Sequence, residues 1–358
     1  MQLRNAGRYL ILALFTLLLA FILSLLDIQQ LLEHLRSARL GFVLLAGASM
    51  LLFYLPWSLN YMLFFRIPFF SALLVILSGE FFNAISPGIN VGGEPVKGHL
   101  LSRLQQRPFS EQFSAVISLR LLDALWYVLF SALSLIIGVF FLRLPANIGL
   151  LAQAVLFIIV FVVLMAALRR SLALRNIVDL FTERLLRWLR FLSARAMPGF
   201  AYAQRSVNLA PLLEVKAYVH GKFNRMAAAA RQFSADIRRA LQRIFLARHV
   251  FLPLFLLTGA SWLFIFLKTY FVFLAFGQPV SLPVAIIAWM IPSLLGTLLF
   301  VPGGFGVTET AMIALLYAWG IPPEAAAAIA LVDRALFYAA ELGAGSLALL
   351  VMQVRLKK

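Results

Sequence analysis

The sequence lacks several residue types on which many enzymes depend. It contains no cysteine, which excludes disulfides, thiolate metal sites and cysteine nucleophiles. Its four histidines are scattered and show no metal-ligand spacing: His34, His99, His220 and His249. We therefore expect a protein without a metal or a cofactor, and one that is not an enzyme.

Charged residues are also scarce, at 13% of the chain, whereas 63% of the residues are hydrophobic. The mean hydropathy of +0.95 is typical of polytopic membrane proteins and excludes an ordinary soluble domain. Acidic residues are scarcer than basic ones: 14 Asp and Glu stand against 31 Lys and Arg, which gives a net charge of +17. In an apolar chain this excess indicates membrane orientation and contact with anionic lipids rather than nucleic-acid binding.

Long apolar runs predict about six full transmembrane helices. We interpret the first run as a retained span rather than a signal peptide, because no small-residue cleavage site follows it. The expected spans are approximately Tyr9–Leu26, Gly41–Phe65, Phe113–Leu142, Ile148–Leu168, Val250–Phe276 and Ala325–Met352.

Two glycine-rich breaks interrupt this apolar sequence and resemble one another. In each, a Pro-Gly pair is followed by more glycine and, seven residues after the proline, by a glutamate, Glu94 or Glu309. An arginine follows 26 residues after Glu94 and 25 residues after Glu309. Matched breaks in two halves of a transporter are typical of a substrate site at the centre of the membrane. The break residues are Pro87, Gly88, Gly92, Gly93, Pro302, Gly303, Gly304 and Gly306.

The positive-inside rule places the N-terminus, the basic segment 169–249 and the C-terminus in the cytoplasm. Segment 169–249 holds sixteen Lys and Arg, and its mixed apolar and basic pattern predicts amphipathic helices near anionic headgroups. The crossing count then requires residues 68–110 to cross an even number of times, and their polar residues favour a re-entrant hairpin from the cytoplasm over two full crossings. Residues 283–320 are then expected to be re-entrant from outside. The predicted fold is an all-α polytopic membrane protein with an inverted repeat. Its parts are residues 1–168, the insert 169–249 and residues 250–358.

Ionisable residues within the spans are candidates for substrate contact, because such residues are costly in a membrane. Arginine can bind phosphate through two parallel hydrogen bonds, and the helix starts after the breaks direct N–H groups towards an anion. Arg120 and Asp123 are three residues apart, share a helical face and can neutralise each other, and Arg334 and Glu341, seven residues apart, also share a face. Asp123, Asp333 and Glu341 could equally form buried ion pairs that only lock helices together. The candidate substrate-binding residues are Arg120, Arg334, Asn83, Asn90, Glu94, Glu309, Asp123, Asp333, Tyr338 and Glu341.

The same motifs resemble the flippase-like membrane domain of the lysylphosphatidylglycerol synthase family. The resemblance is carried by Asn83 with Ser86-Pro87-Gly88 and Gly92-Gly93-Glu94, by Arg120 with Asp123, by Pro302-Gly303-Gly304 with Gly306 and Glu309, and by Asp333-Arg334. It implies movement of aminoacylated or other phospholipids between leaflets of the bacterial inner membrane. We expect no synthase activity, because no soluble synthase domain occurs within these 358 residues.

These observations predict a lipid translocator with a phospholipid substrate. Two alternatives remain open: a membrane-embedded lipid-phosphate transferase or phosphatase, and a non-transporting partner of a lipid-modifying enzyme. A homo-oligomer is also compatible with the sequence.

Overall fold

The computed structural model describes residues 27–86, 92–140, 231–298 and 304–356. These residues are helical apart from short connections, and none of them forms a strand. The helices are α1 (Ile28–Ser37), α2 (Leu40–Phe65), α3 (Phe69–Ile85), α4 (Gly93–Gln105), α5 (Phe109–Phe140), α6 (Arg248–Ala275), α7 (Leu282–Leu298), α8 (Val307–Ala318), α9 (Pro323–Tyr338) and α10 (Gly345–Leu356). A π-helical turn, Ala339–Ala344, joins α9 to α10, and residues 231–245 form a further helix, called the basic helix below.

Four helical segments of the described residues are long and apolar enough to span a membrane: Leu40–Phe65, Phe109–Ser134, His249–Ala275 and Pro323–Leu356. They correspond to four of the six predicted spans. Helix α5 begins at Phe109, four residues before the predicted start. The predicted spans Tyr9–Leu26 and Ile148–Leu168 and most of the predicted insert lie outside the described residues.

The first glycine-rich break lies between α3 and α4, which pack against each other as an antiparallel hairpin. The Gly93 N–H donates to Asn83 Oδ1 at 2.7 Å across the break. A side chain at Gly93 would collide with the Gly79 carbonyl, and one at Gly79 with the Lys97 stem. Glycine at both positions therefore allows the two helices to approach closely and encloses the lysine between them.

The second break lies between α7 and α8, which form the equivalent hairpin. Gly304 and Gly306 both have positive φ angles, a conformation that side chains other than glycine rarely adopt. Thr308 Oγ1 donates to the Gly304 carbonyl at 2.7 Å, which ties the turn to the first residues of α8.

Helices α2 and α6 form the central pair and run in opposite directions. Asn60 Nδ2 donates to Thr258 Oγ1 at 2.9 Å, and the Arg39 N–H donates to the Ala275 carbonyl at 2.9 Å, so the two contacts run in reverse order along the chain. The other contacts also come in matched pairs. Helix α7 packs on α5, whereas α3 packs on α10 and the π-helical turn. Each half therefore lays the first helix of its hairpin against the last long segment of the other half.

Each hairpin begins and ends at one end of the bundle, and the two hairpins enter from opposite ends. At the first end, Gln105 donates to the Phe65 carbonyl, and Arg243 Nη2 donates to the Phe64 carbonyl at 3.1 Å. Arg355 Nη1 donates to Ser71 Oγ at 2.9 Å, so the C-terminus and the basic helix share this end, called the basic end below. At the opposite end, α1 packs on α9.

Candidate functional site

The first hairpin holds a buried lysine between two glutamates. Lys97 Nζ lies 2.6 Å from Glu80 Oε1 and 3.1 Å from Glu94 Oε1, and the lysine is fully buried. Asn83 Nδ2 donates to both oxygens of Glu80, at 3.2 and 3.1 Å. Since Asn83 also accepts the Gly93 N–H, both ends of its amide are occupied by the protein.

Arg120 on α5 continues this network towards the centre of the molecule. Its Nη1 lies 2.9 Å from Asp123 Oδ2, and its Nε lies 3.9 Å from Glu94 Oε1. Arg120 and Asp123 thus form the ion pair that their spacing on one helix predicts. Asp123 also accepts the Trp262 indole N–H at 2.9 Å. Trp262 lies at the middle of α6, so this pair sits far from both ends of the span.

The second hairpin uses its glutamate differently. Glu309 Oε2 accepts the Gly306 N–H at 2.7 Å, which caps the start of α8, and Glu309 Oε1 accepts from the Tyr338 hydroxyl at 3.3 Å. The N–H groups of Gly93 and Gly306, at the starts of α4 and α8, are therefore already bonded to side chains. Anion binding by these two N–H groups requires that their caps be displaced.

Arg334 on α9 has few partners for a buried cation. It is 5% exposed, its Nη2 lies 3.3 Å from Ser293 Oγ, and its guanidinium lies 5.5 Å from the centre of the Phe337 ring. Its Nε is buried without a hydrogen-bond partner. No ion pair is formed by Arg334 within the described residues. The guanidinium therefore retains capacity to bind an anion.

Aromatic residues connect the two networks. Trp289 on α7 lies one helical turn before Ser293 and contacts Trp262, with ring centres 5.4 Å apart. Tyr127 on α5 also contacts Trp262, at 5.5 Å, and lies within electrostatic reach of both Arg334 and Asp123. The Tyr127 hydroxyl and the Trp289 indole N–H are buried without partners. Unused donors thus occur on α5, α7 and α9 around Trp262 of α6, where a polar ligand or water could satisfy them.

Asp333 belongs to a separate structural pair, although it is adjacent to Arg334 in sequence. Lys268 Nζ lies 2.6 Å from Asp333 Oδ2, and Thr269 donates to Asp333 Oδ1 at 2.7 Å. Lys268 and Asp333 are both fully buried. Consecutive helical residues point about 100° apart, so Asp333 faces α6 while Arg334 faces α7. These contacts hold α9 against α6.

Glu341 lies in the π-helical turn, which packs against α3. It is 6% exposed and makes no hydrogen bond or ion pair with the described residues. The π-helical turn changes the register after Tyr338, and Glu341 lies within electrostatic reach of Arg334 without forming an ion pair with it. Five predicted residues lie outside the described residues: Pro87, Gly88, Asn90, Pro302 and Gly303.

Sequence reasoning did not single out several residues that complete the two networks. Glu80 and Lys97 flank the first break, and their spacing from it could have suggested an ion pair across a hairpin. Trp262, Trp289 and Ser293 have no sequence pattern that distinguishes them from other apolar-span residues. Within the described ranges, no group of three His, Asp or Glu side chains could hold a metal ion.

Comparison with known proteins identifies relatives along most of the chain. The family model described as the lysylphosphatidylglycerol synthase TM region matches residues 9–345. A UPF0104 membrane protein of Pyrococcus horikoshii is 24% identical over 334 residues, which cover 91% of this chain and 92% of the relative. A UPF0104 membrane protein of Methanocaldococcus jannaschii is 24% identical over 294 residues, covering 81% of this chain and 77% of the relative. With a match over nearly its whole length and a polytopic helical fold, the chain belongs to the family of the lysylphosphatidylglycerol synthase TM region.

Proposed function

We propose that the protein moves a phospholipid or other anionic lipid headgroup between the leaflets of the cell membrane, without making or breaking covalent bonds. The observation that carries this proposal is the guanidinium of Arg334, which is buried beside Ser293 of α7 with an unpartnered Nε. A cation deep within a transmembrane bundle is costly, and such residues usually serve substrates or ions. A phosphate would supply the acceptors that this guanidinium lacks.

The surrounding groups suit the polar part of a lipid rather than its acyl chains. The Tyr127 hydroxyl and the Trp289 indole N–H are further unpartnered donors next to Trp262. Phosphate oxygens could accept from them as the headgroup passes between α5 and α7, while the acyl chains remain in the surrounding lipid. Glu309 and Tyr338 lie at the tip of the second hairpin and could open or close this route.

The arrangement of the hairpins supports transport by alternating access. One hairpin enters from each end of the bundle, and equivalent helices of the two halves run in opposite directions, as in transporters with inverted repeats. The basic end carries Arg66, Arg103, Arg107, Arg239, Arg243 and Arg355, and we assign it to the cytoplasm. In a bacterial cell this membrane would be the inner membrane.

The test is leaflet exchange of headgroup-labelled phospholipids in proteoliposomes. We expect wild-type protein to exchange anionic phosphatidylglycerol faster than protein-free vesicles, and Arg334→Ala to lose that excess rate while remaining folded. Arg120→Ala should also lose it, together with some stability, because Arg120 belongs to the buried network. Absence of exchange by folded wild-type protein for every lipid tested would contradict the proposal.

Two further outcomes would favour the alternative functions. A new lipid species on thin-layer chromatography, formed from purified protein and lipid, would indicate a transferase or phosphatase. Complete loss of cellular function on deletion of residues 169–230, with intact leaflet exchange in vesicles, would instead indicate an accessory role of that segment in binding a partner enzyme.

A further inference from the structure

A polar cavity lies at the basic end, away from Arg334. Its volume is about 860 Å³. The cavity is enclosed by the C-terminal ends of α2 and α4, the first turns of α5 and the basic helix. It therefore opens where the spans reach the surface of the membrane.

Arginines dominate the charge of this cavity. Four line it, Arg66, Arg107, Arg239 and Arg243, against the two acids Glu111 and Asp236. Arg107 pairs with Glu111 at 3.0 Å, and Arg239 pairs with Asp236 at 2.5 Å. The lining thus carries two more positive than negative charges.

The excess charge belongs to Arg66 and Arg243, which pair with no carboxylate among the described residues. Arg243 donates to the Phe64 carbonyl at 3.1 Å and lies over the Phe64 ring at 4.7 Å. These contacts orient the guanidinium but leave its charge uncompensated. The first turn of α5 adds Ser110 and Glu111 to the wall, and the positive end of a helix dipole favours an anion there.

Two buried acceptors in the same wall specify the ligand further. Gln112 Oε1 and Asp236 Oδ2 have no hydrogen-bond partner, and the two residues are 2% and 6% exposed. Buried oxygens of this kind normally find a donor. A ligand that places a hydroxyl or ammonium group beside its anion would satisfy them.

We propose that this cavity binds a phosphate group that carries a neighbouring hydroxyl or ammonium group. The chemistry is that of a phospholipid headgroup in the adjacent leaflet or of a soluble phosphorylated polyol. The site is separate from the Arg334 region, so the proposal does not depend on lipid translocation.

The test measures binding to purified protein in detergent with three probes: inorganic phosphate, glycerol 3-phosphate and short-chain phosphatidylglycerol. The variant Arg66→Gly with Arg243→Ala removes both uncompensated cations. Glycine suits position 66, since Arg66 ends α2 with a φ of 55°. A matched control, Arg103→Ala with Arg355→Ala, removes two exposed arginines of the same end that do not line the cavity.

We expect the cavity variant to bind the preferred probe at least about tenfold more weakly, and the control to bind it as the wild type does. Gln112→Leu should weaken the binding of glycerol 3-phosphate or phosphatidylglycerol, while the binding of inorganic phosphate should not change. Tight binding of phosphatidylglycerol alone identifies a lipid headgroup as the source, and tight binding of glycerol 3-phosphate identifies a soluble ligand.

Equal affinities of the cavity variant and the control, or no binding of any phosphate probe by folded wild-type protein, would overturn the proposal. Should the double variant prove unstable, Arg66→Gly alone changes only an exposed residue at a helix end, and it must still weaken binding.

Discussion

The two helical hairpins share a sequence motif but differ in how their charges are satisfied. At the first hairpin, Lys97 and Arg120 of the adjacent α5 face Glu80, Glu94 and Asp123 within a continuous network of ion pairs. At the second, Glu309 caps its own helix, and Arg334 of α9 has a hydroxyl at 3.3 Å and an unpartnered Nε. The difference teaches that the same motif can accompany a closed network of ion pairs in one half and a buried arginine without an ion pair among the described residues in the other.

The contrast originates in a few residues outside the repeated motif. Glu80 and Lys97 place opposite charges beside the first break, whereas the equivalent parts of the second hairpin are apolar. In the second half, the buried lysine, Lys268, lies on the preceding long helix and engages Asp333 rather than the hairpin. Because Lys268 engages Asp333, that carboxylate does not pair with the adjacent Arg334.

The largest expected effect comes from removing the lysine of the first hairpin. Lys97→Met would leave Glu80 and Glu94 buried without their cation, and we expect a loss of about 3–5 kcal/mol in the free energy of unfolding. A graded SDS titration of protein in mixed micelles would measure it. Adding Glu80→Gln to this variant should restore part of the loss; a loss that stays unchanged would argue against the network as a structural unit.

A somewhat smaller effect is expected at the buried pair of the second half. Asp333→Asn keeps an acceptor for Thr269 but leaves Lys268 without its counter-charge, and we expect a loss of about 3 kcal/mol. The double variant Lys268→Met with Asp333→Asn should recover most of it in the same titration. Wild-type stability of the single variant would show that the pair does not lock α6 to α9.

The smallest effect is expected at the helix cap of the second hairpin. Glu309→Gln retains an oxygen that can accept the Gly306 N–H, so we expect a loss of only about 1 kcal/mol. Glu94→Gln is the matched change in the first hairpin and should cost more, since Glu94 faces Lys97 and Arg120. Equal losses of unfolding free energy in the two variants would contradict the view that Glu94 belongs to an ion-pair network while Glu309 only caps a helix.

Much of the helical framework was predictable because hydrophobic run length and charge reflect the membrane directly. The spans beginning near Gly41 and Val250 and the hairpins at both breaks follow from apolar runs interrupted by glycine and proline. The matched spacing of Glu94 and Glu309 from their prolines also predicts two related hairpins. The placement of these hairpins within a membrane stays a prediction.

The partners of the charged residues were not predictable to the same degree. Spacing on one helix predicted the Arg120–Asp123 contact, since residues three apart share a face. The Lys268–Asp333 contact joins helices 65 residues apart in sequence, and no local pattern encodes it. The π-helical turn at Ala339–Ala344 likewise begins without any glycine or proline that would have predicted it.

The most direct measurement compares phosphatidylglycerol exchange in proteoliposomes containing Arg334→Gln with exchange in vesicles containing the Lys268→Met, Asp333→Asn double variant. Each variant removes one buried cation, Arg334 on α9 or Lys268 beside α9. Only the first removes the guanidinium whose Nε has no hydrogen-bond partner. We predict that folded Arg334→Gln loses exchange and that the double variant retains most of it. Wild-type exchange by Arg334→Gln would contradict the account.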